Sequence, residues 1–432
     1  MGKEGYDDTA TAGDGDVRET AECGVEVLCK LDARAVYFES GGAGTGTDYV
    51  DKEDTEVKHF FLGMAANYGG SEWAKHTFAV GRKWDCDELK RYLAKRYSGE
   101  AILCKNGRSA LCLGLKAYFE PGDAVLVNGF TCYAVYEAVK AAGLVPVFVD
   151  ISKDDLNFDM TKLEASIKSG DSLARQGHHI KGVIVQNTLG NPVDIKAVEK
   201  FAKKHHLTII EDLAHSAGVR YDDKREAGTV GAAAVWSFGK DKAIDTISGG
   251  AVVLRAPIKH KVQEPSDAPR PSDYWRARMY PTFGVICRGL SYVRLGGALM
   301  RGLVKIHWVE KSADNKLDLK RRPSKFEAKL ALEQLKKMRK NGEPPLREFC
   351  FVRDRAELLV KLQKKGYYFG GFWYEKPVSP TRYYKKVHFP EKECPNAVWV
   401  AEHILNLPTY YTRRDLMLAR RIIKKYLEEE SE

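Results

Sequence analysis

Between residues 85 and 255 the chain keeps a rhythm that few folds can accommodate. Short apolar runs at 124–127, 146–150, 183–185, 207–210, 232–236 and 251–254 read as strands. Stretches at 87–97, 109–119, 133–142 and 195–205 space their apolar residues as helices do. Strands that are apolar throughout, rather than at alternate positions, are buried on both faces. The alternation therefore predicts an α/β fold, a mostly parallel central sheet flanked by helices. In such sheets ligands bind beyond the carboxyl ends of the strands.

With 432 residues the chain exceeds one typical domain. The division expected is a large domain at 57–255, a basic and apolar insert at 256–322, and a smaller α+β C-terminal domain at 323–432. Strong helix patterns at 326–338 and 413–427 belong to this last part. The net charge of +10 is unevenly spread. Residues 1–56 carry 15 acidic and 5 basic side chains, so this stretch stands at −10 and the rest at +20. The acidic stretch is also rich in Gly and Thr, which predicts a disordered or loosely attached extension. A basic body attracts anions. No nucleic-acid-binding signature accompanies it, so a phosphorylated small molecule suits the charge better than RNA or DNA. Nine scattered cysteines without a C-x-x-C pair read as reduced thiols. No apolar run is long enough to span a bilayer, and the first residues lack the pattern of a signal peptide. A cytoplasmic protein is expected.

Three short segments carry chemistry. Asn106-Gly107-Arg108-Ser109 is a turn entering a helix, where free backbone amides and the helix dipole suit a phosphate. Asp212 ends the strand at 207–210, and a buried carboxylate there needs a cationic partner. Lys242 follows Ser237-Phe238 and has small or apolar neighbours at Ala243, Ile244, Gly249 and Gly250. Such surroundings lower a lysine's pKa, as covalent catalysis requires. Each has a structural reading by itself: a loop turn, a helix cap, a surface lysine, with Lys240 as the decoy. Together, a strand-end carboxylate followed by a serine and a desolvated lysine is the arrangement that holds pyridoxal phosphate.

The chain resembles the DegT/DnrJ/StrS family of sugar aminotransferases, which are fold-type I pyridoxal-phosphate enzymes. The matching pieces are residues 106–111, 121–123, 146–150 and 211–215, Ser237-Phe238, Lys242 and Gly249-Gly250. The likeness resumes at 324–337 and at Leu405-Asn406-Leu407-Pro408-Thr409. It implies that Lys242 bonds the cofactor and that Asp212 pairs with its pyridine nitrogen. His215 falls near the ring hydroxyl. Gly107, Arg108, Ser109 and Ser237 fall around the phosphate, and Asn187 approaches the cofactor from a strand end. Cys132 stands where an aromatic ring usually stacks on the cofactor, with Tyr133 beside it as a substitute. Lys320-Arg321-Arg322 stand where a neighbouring subunit commonly supplies an asparagine to the phosphate.

The resemblance implies amino transfer from an amino acid, glutamate, to a nucleotide-linked keto sugar, within a homodimer, for amino-sugar or surface-polysaccharide synthesis. The alternatives are a fold-type I enzyme with a non-sugar substrate and a non-catalytic scaffold at a membrane surface. The segment 256–322 is longer and more apolar than the family leads one to expect. Its basic residues across 280–309 suggest a weak contact with an anionic membrane surface. Gly284, Gly289, Gly296, Gly297 and Gly302 weaken a continuous membrane helix. They favour a helical insert packed on the enzyme or on its dimer partner.

Overall fold

The computed structural model of the protein describes residues 60–62, 74, 77–78, 86–291, 293, 295–309, 316–369, 373–409 and 413–429. The acidic stretch at 1–56 lies outside them. After strand β1 (Phe60–Leu62) the chain runs α1 (Cys86–Tyr97), β2 (Glu100–Cys104), α2 (Gly107–Tyr118), β3 (Ala124–Asn128), β4 (Thr131–Cys132) and α3 (Tyr133–Ala141). It continues through β5 (Val145–Val149), α4 (Met160–Ala174), β6 (Ile180–Val185), α5 (Ile195–Lys204), β7 (Thr208–Asp212), β8 (Ala233–Ser237) and β9 (Gly250–Leu254).

Seven of these strands form one sheet in the order β2-β9-β8-β7-β6-β3-β5. All neighbours are parallel except at β9, which runs against both β2 and β8. Successive residues alternate between two cores, as the pleat requires. Val183 and Val185 enter one core and Ile184 the other, while Trp236 and Val235 divide in the same way. Burial on both sides is why these strands read as unbroken apolar runs. Of these elements, β1, β2, β4 and α4 escaped the sequence reading. Strand β2 begins at the exposed Glu100, and α4 is diluted by Ser166, Ser169 and Gly170.

Between the sheet and the C-terminal part stands a helical hairpin, α6 (Pro271–Ser291) and α7 (Gly296–Lys305). Ala277, Tyr280, Cys287, Leu303 and Val309 close its core on Ile247 of the large domain. The insert is thus packed on the large domain of its own chain. No helix among the described residues is long and apolar enough to cross a membrane.

Helix α8 (Lys325–Lys337) opens with a capping box between Ser324 and Glu327. Its Ala328, Ala331, Leu332 and Leu335 join the sheet core, so this helix packs on the large domain although it follows residue 323. A separate core lies farther on. There β10 (Arg347–Phe351) pairs antiparallel with β13 (Ile404–Pro408). The helices α9 (Arg355–Lys364) and α12 (Arg413–Glu429) flank that pair. Leu358, Leu362, Leu405, Leu407, Ile422 and Ile423 fill the space between them. Between α9 and α12 in sequence lie β11 (Tyr367–Phe369), which pairs with β1, β12 (Val378–Ser379), α10 (Thr381–Val387) and α11 (Pro395–His403). Strand β12 pairs with β4, which ties the C-terminal part to the carboxyl side of the sheet.

Candidate active site

Strand β7 ends in two adjacent carboxylates with opposite fates. Successive strand residues point to opposite faces. Glu211 is fully buried and accepts from Tyr221 Oη at 2.8 Å and from the amides of Gly228, Val230 and Gly231 at 2.7, 2.8 and 2.6 Å. It fastens the loop that leads into β8. Asp212 is nearly as buried, yet among the described residues its carboxylate accepts only the Ala214 amide, at 3.0 Å. Burial raises its pKa, opposed by that amide and by the charge of Lys242. An anion so sparsely bonded is suited to a cationic partner.

Lys242 sits on the loop between β8 and β9. The Asp245 side chain organises that loop by accepting from the Asp241 amide at 3.1 Å and the Ile247 amide at 2.9 Å. Gln334 of α8 clamps the Asp245 backbone from both sides, accepting at 2.9 Å and donating at 2.7 Å. Burial holds the Lys242 pKa below the ordinary lysine range, and the Arg347 charge acts in the same direction. The Cys132 sulfur and the carboxylates of Asp212 and Asp241 oppose it. Lys240 lies 4.5 Å from the centre of the Tyr280 ring, in contact with the hairpin.

At the start of α2, Asn106 Oδ1 accepts from the Ser109 amide at 2.9 Å and caps the helix. A Cβ built on Gly107 would fall 2.6 Å from Ser237 Cβ and 2.9 Å from its Oγ. Only glycine lets the turn come this close to β8. We expect Gly107→Ala to destabilise the fold by about 1–3 kcal/mol through overpacking. It should also weaken binding of any phosphate ligand at the turn, which thermal unfolding with and without pyridoxal phosphate measures. The Arg108 side chain is ion-paired with Glu137 of α3, which leaves its backbone amide to serve the turn. Ser109 Oγ accepts from the Asp318 amide at 3.0 Å, and Lys316 O accepts from Asn106 Nδ2 at 3.0 Å. The loop preceding Lys320-Arg321-Arg322 therefore folds over the turn of its own chain, with Arg321 paired to Asp318 at 2.7 Å.

The remaining walls come from distant segments. His215 Nδ1 accepts from the Leu189 amide at 3.2 Å, so a neutral ring carries its proton on Nε2, 3.2 Å from Tyr374 Oη. Burial, with the charges of Lys242 and Arg347, keeps its pKa well below the usual histidine range. Trp373 stacks on His215 with centroids 5.0 Å apart. Lys242 Nζ and the Arg347 guanidinium lie 4.3 and 4.7 Å from its ring centre. Asn406 holds this corner, accepting from Arg347 Nε and from the Trp373 amide and donating to the Trp373 carbonyl.

The structure thus adds Trp373, Tyr374 and Arg347 to the residues expected from sequence. It also gives several expected residues definite local partners. Tyr133 stacks on Tyr383 at 4.3 Å. Cys132 caps α3 through its sulfur and lies close enough to Lys242 and Tyr374 to couple with them electrostatically. Asn187 donates to Ser216 Oγ and Tyr221 Oη, each at 3.2 Å, and accepts from the Val193 amide at 3.0 Å. That side chain is engaged in holding the left-handed turn after β6.

Comparison with known proteins converges on this region. Residues 85–264 match the model of the DegT/DnrJ/EryC1/StrS aminotransferase family. The chain is 35% identical to a GDP-perosamine synthase of Caulobacter vibrioides over 153 residues, 35% of this chain and 38% of that protein. It is 32% identical to a UDP-2-acetamido-2-deoxy-3-oxo-D-glucuronate aminotransferase of Pseudomonas aeruginosa, over 39% of this chain and 44% of the other. The matched part therefore spans about two fifths of these curated relatives. A crystal structure of a DegT DnrJ EryC1 StrS aminotransferase from Brucella abortus shares the fold, with a TM-score of 0.60 at 22% identity. That likeness covers 85% of this chain and 99% of the other. Residues 85–264, the part of the chain that matches the DegT/DnrJ/EryC1/StrS aminotransferase family model, carry the helix-start turn, Asp212 and Lys242.

Proposed function

We propose that the protein is a pyridoxal-phosphate-dependent aminotransferase acting on a nucleotide-linked keto sugar, with glutamate as amino donor. The observation that carries this reading is the juxtaposition of Asp212, a buried carboxylate with a single amide donor among the described residues, and Lys242, a half-buried amine close enough to couple with it electrostatically. The glycine-bounded turn at 106–109 lies at the same edge of the sheet. These residues fit pyridoxal phosphate. The amides of Gly107 and Arg108 and the hydroxyls of Ser109 and Ser237 would receive the phosphate, Asp212 the pyridine nitrogen, and Lys242 the aldehyde carbon. When bound, the cofactor supplies an electron sink for a carbanion.

The rest is the work of this chain's own groups. Asp212 holds a positive charge in place. Lys242, its charged form disfavoured by burial, carries a proton from one carbon to another as base and then acid. His215, fixed by Leu189, places a neutral ring beside the site, and Trp373 excludes water from the same corner. Arg347 adds a buried cation near Lys242, which suits a donor bearing a carboxylate. The printed activities of the relatives from Caulobacter vibrioides and Pseudomonas aeruginosa support a nucleotide sugar as acceptor. We place the enzyme in the cytoplasm as a homodimer, in keeping with nine scattered cysteines that form no C-x-x-C pair.

The test is transfer of label from ¹⁵N-glutamate to a panel of nucleotide-linked keto sugars and simple keto acids. Label in a nucleotide sugar is expected; label only in keto acids points to the non-sugar alternative. In the same assay Arg347→Met should raise the donor KM about 30-fold, the equivalent of ~2 kcal/mol for a charge-assisted contact.

A further inference from the structure

The hairpin of α6 and α7 packs one face inward and leaves another apolar face in solvent. Six of the nine large hydrophobic side chains exposed among the described residues lie on it: Trp275, Ile286, Val293, Leu295, Ile306 and Trp308. On the outer side of α6 the exposed positions 275, 286 and 289 hold Trp, Ile and Gly, with no charge, while Met279 and Thr282 between them are half-buried, Thr282 against Thr77 at 2.7 Å. The inward positions Ala277, Tyr280 and Cys287 already fill the hairpin core. An apolar stripe on the side opposite a packed core needs a partner of its own.

Charge identifies the partner. Residues 271–309 contain six Lys and Arg against one carboxylate, Asp273, which is paired with Lys105 at 3.1 Å. Arg301 and Lys305 are exposed on α7, and exposed Ile306 and Trp308 follow them directly. Exposed aliphatic groups, tryptophans and cations on one short hairpin suit the boundary between headgroups and acyl chains. A second copy laying the same face across a two-fold axis would set cations against cations. A nucleic acid would leave the apolar stripe unused. Neither helix is both long and apolar enough to span, so the hairpin would lie flat.

We propose that the outer face of the 271–309 hairpin docks the enzyme on an anionic phospholipid surface. Trp275, Ile286, Val293, Leu295, Ile306 and Trp308 enter the interface, and Arg301 and Lys305 meet lipid phosphates. Because the inner face of the hairpin packs on Ile247 and Tyr280 contacts Lys240, the docked element also buttresses the loop that carries Lys242.

Co-sedimentation of the full-length, cofactor-loaded protein with vesicles tests this. Vesicles of phosphatidylcholine alone are compared with vesicles containing phosphatidylglycerol. Binding to the anionic vesicles only is expected, with loss in ~1 M salt, where the Debye length shrinks to ~3 Å. The triple variant Ile286→Asp, Val293→Asp, Ile306→Asp should bind about tenfold more weakly or worse. The double variant Arg301→Glu, Lys305→Glu, confined to exposed positions, should lose binding to a comparable extent. Both should keep the parent's sedimentation coefficient and its activity on soluble substrates. Equal binding to both vesicle types, or no binding to either, overturns the proposal. So does a variant that changes the oligomeric state, which would assign this face to a second copy.

Discussion

Lys242→Ala should abolish amino transfer, with a rate loss of roughly 10²–10⁴ from the missing proton carrier alone. Loss of the covalent hold on the cofactor deepens it. Lys240→Ala should stay within a few-fold of the parent, because Lys240 lies over Tyr280 on the hairpin side. The two lysines share a loop and differ in surroundings, so the pair of variants separates position from mere positive charge. A pH series adds an independent check. Covalent uptake of pyridoxal phosphate needs the neutral amine, and burial lowers the Lys242 pKa from its ordinary 10.5. The rate of uptake should therefore rise with pH, with its midpoint below that of a solvated lysine. An uptake rate that climbs only in the range of a solvated lysine would show that the attaching amine is not Lys242.

The second large effect concerns stability. Glu211→Ala removes the acceptor of four hydrogen bonds, three of them from backbone amides in the 228–231 loop. Each buried donor left without a partner costs ~1–3 kcal/mol. With water entering part of the gap, a net loss of about 4 kcal/mol is expected, in the range found for breaking buried charged contacts. Denaturant unfolding measures it directly. Glu211→Gln should recover only part of the loss, since its amide nitrogen turns a donor toward other donors. A change under ~1 kcal/mol in the alanine variant would mean that the loop holds without this carboxylate.

The contrast between Glu211 and Asp212 shows which features were legible in the chain. Their place at the end of a buried strand follows from the apolar run before them, and strand alternation implies that they diverge. Lys242 was legible because small and apolar residues flank it, and Gly107 because a turn enters a helix there. The division of labour between the two carboxylates was not, since the Glu211 donors lie 10 to 20 residues downstream in irregular chain. Trp373, Tyr374 and Arg347 left no local signal either. They reach Lys242 through the β10–β13 pair and the Asn406 clamp, more than 100 residues beyond it. The resemblance directs attention to Cys132 and Tyr133 for a ring over the cofactor, whereas the aromatic ring beneath the Lys242 ammonium, Trp373, has no counterpart in that local pattern. A packed helical insert was legible at 256–322, but the bounds of its helices were not. Pro281 lies inside α6 and glycines punctuate both helices, so local propensity left no boundary signal, while packing on Ile247 sustains them.

The most direct measurement fixes the cofactor to whichever lysine holds it. The protein is reconstituted with pyridoxal phosphate and reduced with borohydride, and the modified peptide is then sequenced by mass spectrometry. The predicted result is a single pyridoxyl group on Lys242, absent from Lys242→Ala and retained in Lys240→Ala. A label on Lys240, labels scattered over surface lysines, or no label at all would contradict it.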